Sequence, residues 1–265
     1  MRGLVRPTEF PTFWGYDFPD FVCYTRTSRP TWLIGLMFQN HQKMPEVPAV
    51  PAFNLTELDY KLLAMTDEEF IYHDWEDLKS IIARNDLGAL KRKPSDLRRY
   101  LAWTQETKTQ YGTIMNYICQ QRLKWHLPVN TGGTESAVDQ QSGTLVTFKN
   151  PRPFADPEDY KILRNDWPYG LTPGISHLVV WLRTPIPVQS GEGHLTDESR
   201  AMINGFVRKT FVDRLAKDPQ NFSDPDSHVL WFKNWVGLQS VRALEHVHIL
   251  VRDVPEDILF EWINE

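Results

Sequence analysis

Near the C-terminal end of the chain, LEHVHILV (Leu244 to Val251) alternates apolar and polar residues with the period of a half-buried strand. Val247, Ile249 and Val251 share one face, with Glu245 at its start, and His246, His248 and Leu250 share the other. Short apolar runs bounded by turn residues predict three further strands: 159–165 (DYKILRN), 175–184 (ISHLVVWLRT) and 228–234 (HVLWFKN), alongside the one at 243–252. Between the second and third, 196–215 (TDESRAMINGFVRKTFVDRL) has helical spacing, with Thr196 placed to cap it. The order β-β-α-β-β predicts an antiparallel sheet with a helix packed on one face, an α+β architecture.

The first half has a different texture. Residues 1–54 are rich in proline and aromatics without periodicity, and read as an irregular arm. Residues 55–130 read as a helical basic region. Two or three short helices are expected before Leu90, one of them N-capped by Asp74, with Asp77 in the capping-box place and Gly88 as its stop. The longest helix is expected to run from a Ser95 cap towards Trp125, with Asp96 at its positive end. Its stripe is Leu97, Leu101, Thr104, Lys108, Tyr111, Met115 and Ile118, which Lys108 interrupts. A polar Gly/Ser/Thr-rich stretch, 131–150, reads as a flexible loop leading to the α+β core at 151–265.

With 41% hydrophobic residues and 10 Trp, 9 Tyr and 14 Phe in 265 residues, the chain can bury a sizeable core. Two cysteines, Cys23 and Cys119, give no disulfide framework, which fits a reducing compartment. No apolar run approaches membrane-spanning length and no secretory h-region opens the chain, so a cytoplasmic protein with no membrane partner is expected. The net charge of −5 is uneven: Lys79–Lys124 holds ten Lys/Arg and three Asp/Glu, +7, leaving −12 elsewhere. A local field of that sign suits a phosphate backbone, although a solvated helix face would look the same.

Imidazole moves protons near neutral pH and can serve as a nucleophile, so two on one strand face are candidate catalytic groups, His246 and His248. A metal site is disfavoured: two ligands need a third, and His177, His194 and His228 have no claim by spacing. No cofactor is expected, since no phosphate-cradling glycine loop is present. Asn165, Asp166 and Tyr169 sit at a strand end and tight turn, places suited to holding a substrate and equally suited to simple turn formation. Lys233, Asn234 and Gln239 precede the histidines and could face an oxyanion, and Ser240 is a third catalytic candidate, a nucleophile if a histidine activates it.

The blocks LRNDWPYGLTPGISHLVVWLRTPIP and LQSVRALEHVHILV resemble the histidine-triad superfamily over residues 158–252. That family alternates three histidines, whereas here Leu244 and Leu250 flank only two. PSDLRRYLAW, KTQYGTIMNYI, DYKILRNDWPYG and VLWFKNWVGLQSVRALEHVHILVRDVP together resemble the fungal N-acetylglucosamine-induced protein family, which includes arginine-containing cyclodipeptide synthases. The resemblance implies a histidine-triad-like core and a transferase of secondary metabolism that joins arginine, from arginyl-tRNA, to a second tRNA-borne amino acid as a diketopiperazine. On that reading Glu245, Asp166 or Asp96 would hold the guanidinium. Lys91, Arg92, Lys93, Arg98 and Arg99 would track the tRNA. The alternatives are a histidine-triad-like nucleotide hydrolase or transferase, and a non-catalytic sugar- or nucleotide-responsive binding protein.

Overall fold

The expected strands form, each within two residues of its predicted ends. In a computed structural model that describes residues 55–125, 147–191 and 193–263, β1 is Tyr160–Arg164, β2 Ile175–Leu182, β3 Val229–Phe232 and β4 Glu245–Arg252. All neighbours are antiparallel, in the order β1-β2-β4-β3. The chain is a mixed α+β protein built on this four-stranded sheet. The arm at 1–54 and the loop residues 131–146 lie outside the described residues.

Seven helices are described: α1 (Glu57–Ala64), α2 (Trp75–Ala83), α3 (Pro94–Tyr111), α4 (Ile114–Tyr117), α5 (Asp197–Val207), α6 (Asp213–Leu215) and α7 (Glu256–Trp262). The alternation read from sequence sorts the sheet into two faces. Val180, Leu182, Val247, Ile249 and Val251 pack against Ile203, Phe206, Phe211 and Leu215 of the α5–α6 segment and Leu259 and Trp262 of α7. Burying each such side chain stabilises the fold by about 1.5–3 kcal/mol. Thr196 caps α5 by accepting from the Ser199 amide, as its position predicts. The opposite face carries Leu163, Phe232 and Leu250 and is covered by the N-terminal helices, through Ile114, Ile118 and Leu123 at one end and Trp75, Leu78 and Ile81 at the other.

Several helix boundaries differ from expectation for local reasons. Pro94 takes the first helical position of α3, so Lys93 is the N-cap residue; Ser95 instead binds the Asp67 carboxylate through its amide and hydroxyl, at 2.9 and 2.7 Å. The helix ends at Gly112, whose φ of +77° is open to glycine, and Thr113 starts α4 by accepting from Asn116. From Ile118 to Leu123 the chain continues as a π-helical turn. The stripe also shifts by one residue: Leu97, Leu101 and Thr104 are buried as expected, but Thr107 replaces Lys108. Asp74 caps α2 through the Asp77 amide, yet the Asp77 carboxylate turns to His73 rather than closing a capping box. Gly88 does not stop that helix: Ala83 ends it, Asn85 takes the left-handed conformation at φ +55°, and Gly88 sits in a separate 3-10 turn. Among the described residues no helix is long and apolar enough to cross a membrane.

Candidate active site

The register of the sheet brings a third imidazole to the predicted pair. Val179 pairs with His248 and Trp181 with His246, so His177 lies one step along the same face, diagonal to His248. Its Nε2 stands 3.0 Å from His248 Nδ1. The His246 and His248 rings meet edge to face at 5.2 Å. Phe232 stacks on His248 at 4.7 Å, Trp181 lies over His246 at 4.8 Å, and Tyr169 stacks on His177 at 5.4 Å. His177 is thus the functional candidate that sequence spacing passed over. Among the described residues no group of three His, Cys, Asp or Glu is placed to hold a metal ion.

Hydrogen bonds assign the protons. His246 Nδ1 lies 2.8 Å from the Leu244 carbonyl, which can only accept, so Nδ1 donates and the neutral ring keeps its lone pair on Nε2. Asn234 Nδ2 lies 3.4 Å from His248 Nε2, which leaves Nδ1–H of that ring to donate to His177. Burial pushes all three pKa values down. His177 falls to about 3, helped by the Arg92 charge, and His246 to about 4 despite the Leu244 bond. His248 falls well below the ordinary value through burial, then the neighbouring rings, Arg92 and Lys233. At neutral pH the face presents uncharged imidazoles that can take up a proton or attack a carbon or phosphorus centre.

His246 and His248 are reached from two cavities, neither of which His177 lines. A narrow one, about 80 Å³, is lined by Trp103, Trp167, Trp181, Ile114, Ile118 and Val241. A wider one, about 470 Å³, runs past Leu58, Leu62, Leu90, Tyr169, Asn234, Gln239 and Arg242. Arg92, Tyr100, Ser240, His246 and His248 line both. Each cavity is lined by a residue with a polar atom buried without a hydrogen-bond partner: Trp167 Nε1, a donor, in the narrow one, and Asn234 Oδ1, an acceptor, in the wider one.

The remaining sequence candidates separate. Asn165 lines the narrow cavity, with Nδ2 3.2 Å from His177 Nε2 and Oδ1 accepting from the Trp167 amide at 2.9 Å. Gln239 donates to the Asn234 carbonyl at 2.7 Å and so fixes the loop that presents Asn234. Ser240 is exposed at the mouth of both cavities, and among the described residues it makes no hydrogen bond to an imidazole. Lys233 and Glu245 line neither cavity; alternation sends them to the other face, where they pair at 3.4 Å. Asp96 pairs with Arg99, away from the cavities. Asp166 does line the narrow cavity, gripped by Arg122 through contacts of 2.9 and 3.0 Å.

The basic cluster divides in the same way. Lys91 sits 5.5 Å over Phe70, Lys93 pairs with Asp67 at 3.2 Å, and Arg98 donates to the carbonyls of Leu63 and Met65. Arg92 instead enters the site: its guanidinium lies 4.4 Å over Tyr100 and 5.3 Å over Tyr169, and Nε donates to the Trp167 carbonyl at 3.2 Å. Much of the charge that looked like a phosphate-tracking surface therefore ties the helical layer together.

Residues 74–252, which hold the four-stranded sheet and its histidine face, match the DUF3605 family, described as a protein of unknown function, and this chain belongs to that family. It is 30% identical over 199 residues to N-acetylglucosamine-induced protein 1 of Candida albicans, covering 72% of each chain. It is also 30% identical over 177 residues to the uncharacterized protein YPL067C of Saccharomyces cerevisiae, covering 67% of this chain and 77% of the relative. Among solved structures it resembles the crystal structure of HTC1, with a TM-score of 0.50 and 29% identity over 69% of this chain and 86% of that one.

Proposed function

We propose that the protein is an arginine-containing cyclodipeptide synthase, condensing arginine from arginyl-tRNA with a second tRNA-borne amino acid. The observation that carries this reading is the unprotonated Nε2 of a neutral His246 that lines two cavities, one holding an orphaned donor and the other an orphaned acceptor. The family likeness supplies the substrate class. An aminoacyl ester is already activated, so the chemistry is proton transfer and oxyanion stabilisation. His246 Nε2 takes a proton from the α-amine of one aminoacyl group, oriented by Asn234 Oδ1. The amine attacks the ester carbonyl of the other, and the Trp167 indole N–H and Arg92 guanidinium stabilise the oxyanion. The tetrahedral adduct collapses, the C–O bond breaks, and the imidazolium returns its proton to the departing ribose hydroxyl. A second intramolecular attack by the remaining amine on the remaining ester closes the ring and frees the second tRNA.

The narrow cavity would take the arginine side chain: Trp103, Trp167 and Trp181 line it, and the substrate guanidinium would compete with Arg122 for the Asp166 carboxylate. A desolvated cation–π contact contributes roughly 2 kcal/mol. The wider cavity, rimmed by Lys91 and Arg242, has room for the ribose end of the tRNA. Incubation of the purified protein with arginyl-tRNA and a mixed aminoacyl-tRNA pool, read by mass spectrometry, should show a cyclic dipeptide containing arginine. Recovery of only free amino acids would refute the synthase. One observation favours a second reading, nucleotidyl transfer of the histidine-triad type: the His177–His248 hydrogen bond supplies a third ring that the strand alternation lacks. Cleavage of a dinucleotide substrate in place of dipeptide formation would select it.

A further inference from the structure

At the outer edge of β3 lies a third cavity, of about 350 Å³, that the proposed chemistry does not use. Lys233 lines it, and this lysine is only 9% exposed. An ammonium carries three donors, yet the ion pair that Lys233 makes is a single approach to Glu245 Oε2 at 3.4 Å, longer than the roughly 2.7–2.9 Å of a charge-assisted hydrogen bond. Glu245 Oε2 makes no hydrogen bond of good geometry, and burial pushes the Glu245 carboxyl pKa upwards against the opposing pull of Lys233 and the Ile186 backbone. A buried cation so weakly compensated is costly unless something else meets it. Arg200 lines the same cavity, with its guanidinium 5.9 Å from the Trp231 ring centroid. Trp235, packed 5.7 Å from the His194 ring, also lines it, and Asp197, in the first turn of α5, adds an acceptor for a hydroxyl.

We propose that this cavity binds a small hydroxylated oxyanion, a phosphate ester or a hydroxy acid, with its charge between Lys233 and Arg200, a hydroxyl on Asp197 and its carbon skeleton against Trp231 and Trp235. The site is separate from the histidine cleft. Lys233 and Asn234 are consecutive, however, so the ligand sits one residue from the amide that contacts His248.

The test is isothermal titration of the full chain with glycerol 3-phosphate, glycerate and neutral glycerol. At least one oxyanion should bind, which also distinguishes phosphate from carboxylate as the source of the charge, and glycerol should not. Arg200→Gln, an exposed change, should weaken that binding about tenfold. Lys233→Met combined with Glu245→Gln, which removes both charges together, should abolish it while circular dichroism stays native. His248→Ala should leave it intact. The proposal is overturned if neither oxyanion binds at about 20 mM, or if Arg200→Gln binds as tightly as wild type. Loss of binding on His248→Ala would equally overturn it, by placing the ligand in the cleft; should the double variant misfold, Arg200→Gln alone decides.

Discussion

Acid should unfold this protein early, and the histidine cluster sets where. Unfolded, each ring titrates near pH 6.5; folded, His246 and His177 hold off protonation until about pH 4 and about pH 3, and His248 is also well depressed. Below pH 6.5 the unfolded chain therefore binds protons that the native chain refuses. The stability held by these neutral rings is fully present above that pH and is lost as pH falls towards the folded values. Each ring contributes about 1.4 kcal/mol per pH unit, so three contribute about 4. Between pH 6.5 and 5, with each unfolded ring only half protonated at the start, the loss is about 5 kcal/mol, comparable with a whole domain stability of about 5–15 kcal/mol. Glu245, whose pKa burial raises, works in the opposite sense and offsets at most one of the three protons. Urea unfolding followed by tryptophan fluorescence from pH 7.5 to 5 should show an uptake of two to three protons below pH 6, and His177→Gln should remove about one. An uptake below one proton would refute neutral burial of the cluster.

Other expectations rest on single contacts. A Cβ on Gly170 would stand 2.3 Å from the Phe70 ring, and the backbone there is pinned by 2.9 Å bonds to Lys91 and His73. Gly170→Ala should therefore cost about 1–3 kcal/mol, most of it recovered with Phe70→Leu in a double-mutant urea cycle; additivity of the two changes would contradict the clash. Arg92→Gln removes a charge that depresses His177 and His248, so their NMR titrations should move upwards; unmoved midpoints would take Arg92 out of the site. Lys91→Glu with Arg242→Glu should weaken aminoacyl-tRNA binding and lower its salt slope by about one per cation, and an unchanged slope would remove the tRNA from that rim.

The strands were legible because each carries its own period: Val247, Ile249 and Val251 against His246 and His248 is a pattern inside one segment. The same period also separated Glu245 from the histidines, so its assignment to their substrate site went against the alternation. His177 was not legible, because only the pairing of Trp181 with His246 fixes where β2 lies on β4, and register is a property of two distant segments. Ser95 and the basic cluster misled for a related reason. Whether a serine caps a helix or binds Asp67, and whether a lysine meets solvent or Phe70, depends on chain brought from elsewhere. Nothing in the spacing of Trp103, Trp167 and Trp181 marks them as one cavity wall; the turn that sets Trp167 beside Asn165 is the signal that could have.

The central claim is that turnover runs through neutral imidazoles on the helical-layer face of β4. Its most direct test is the cyclic-dipeptide assay run side by side on wild type, His246→Ala and His248→Ala, with circular dichroism as the control for folding. Dipeptide yield per enzyme should fall at least about 100-fold in both variants, whereas native-like variants that keep the wild-type rate would show that the chemistry lies elsewhere.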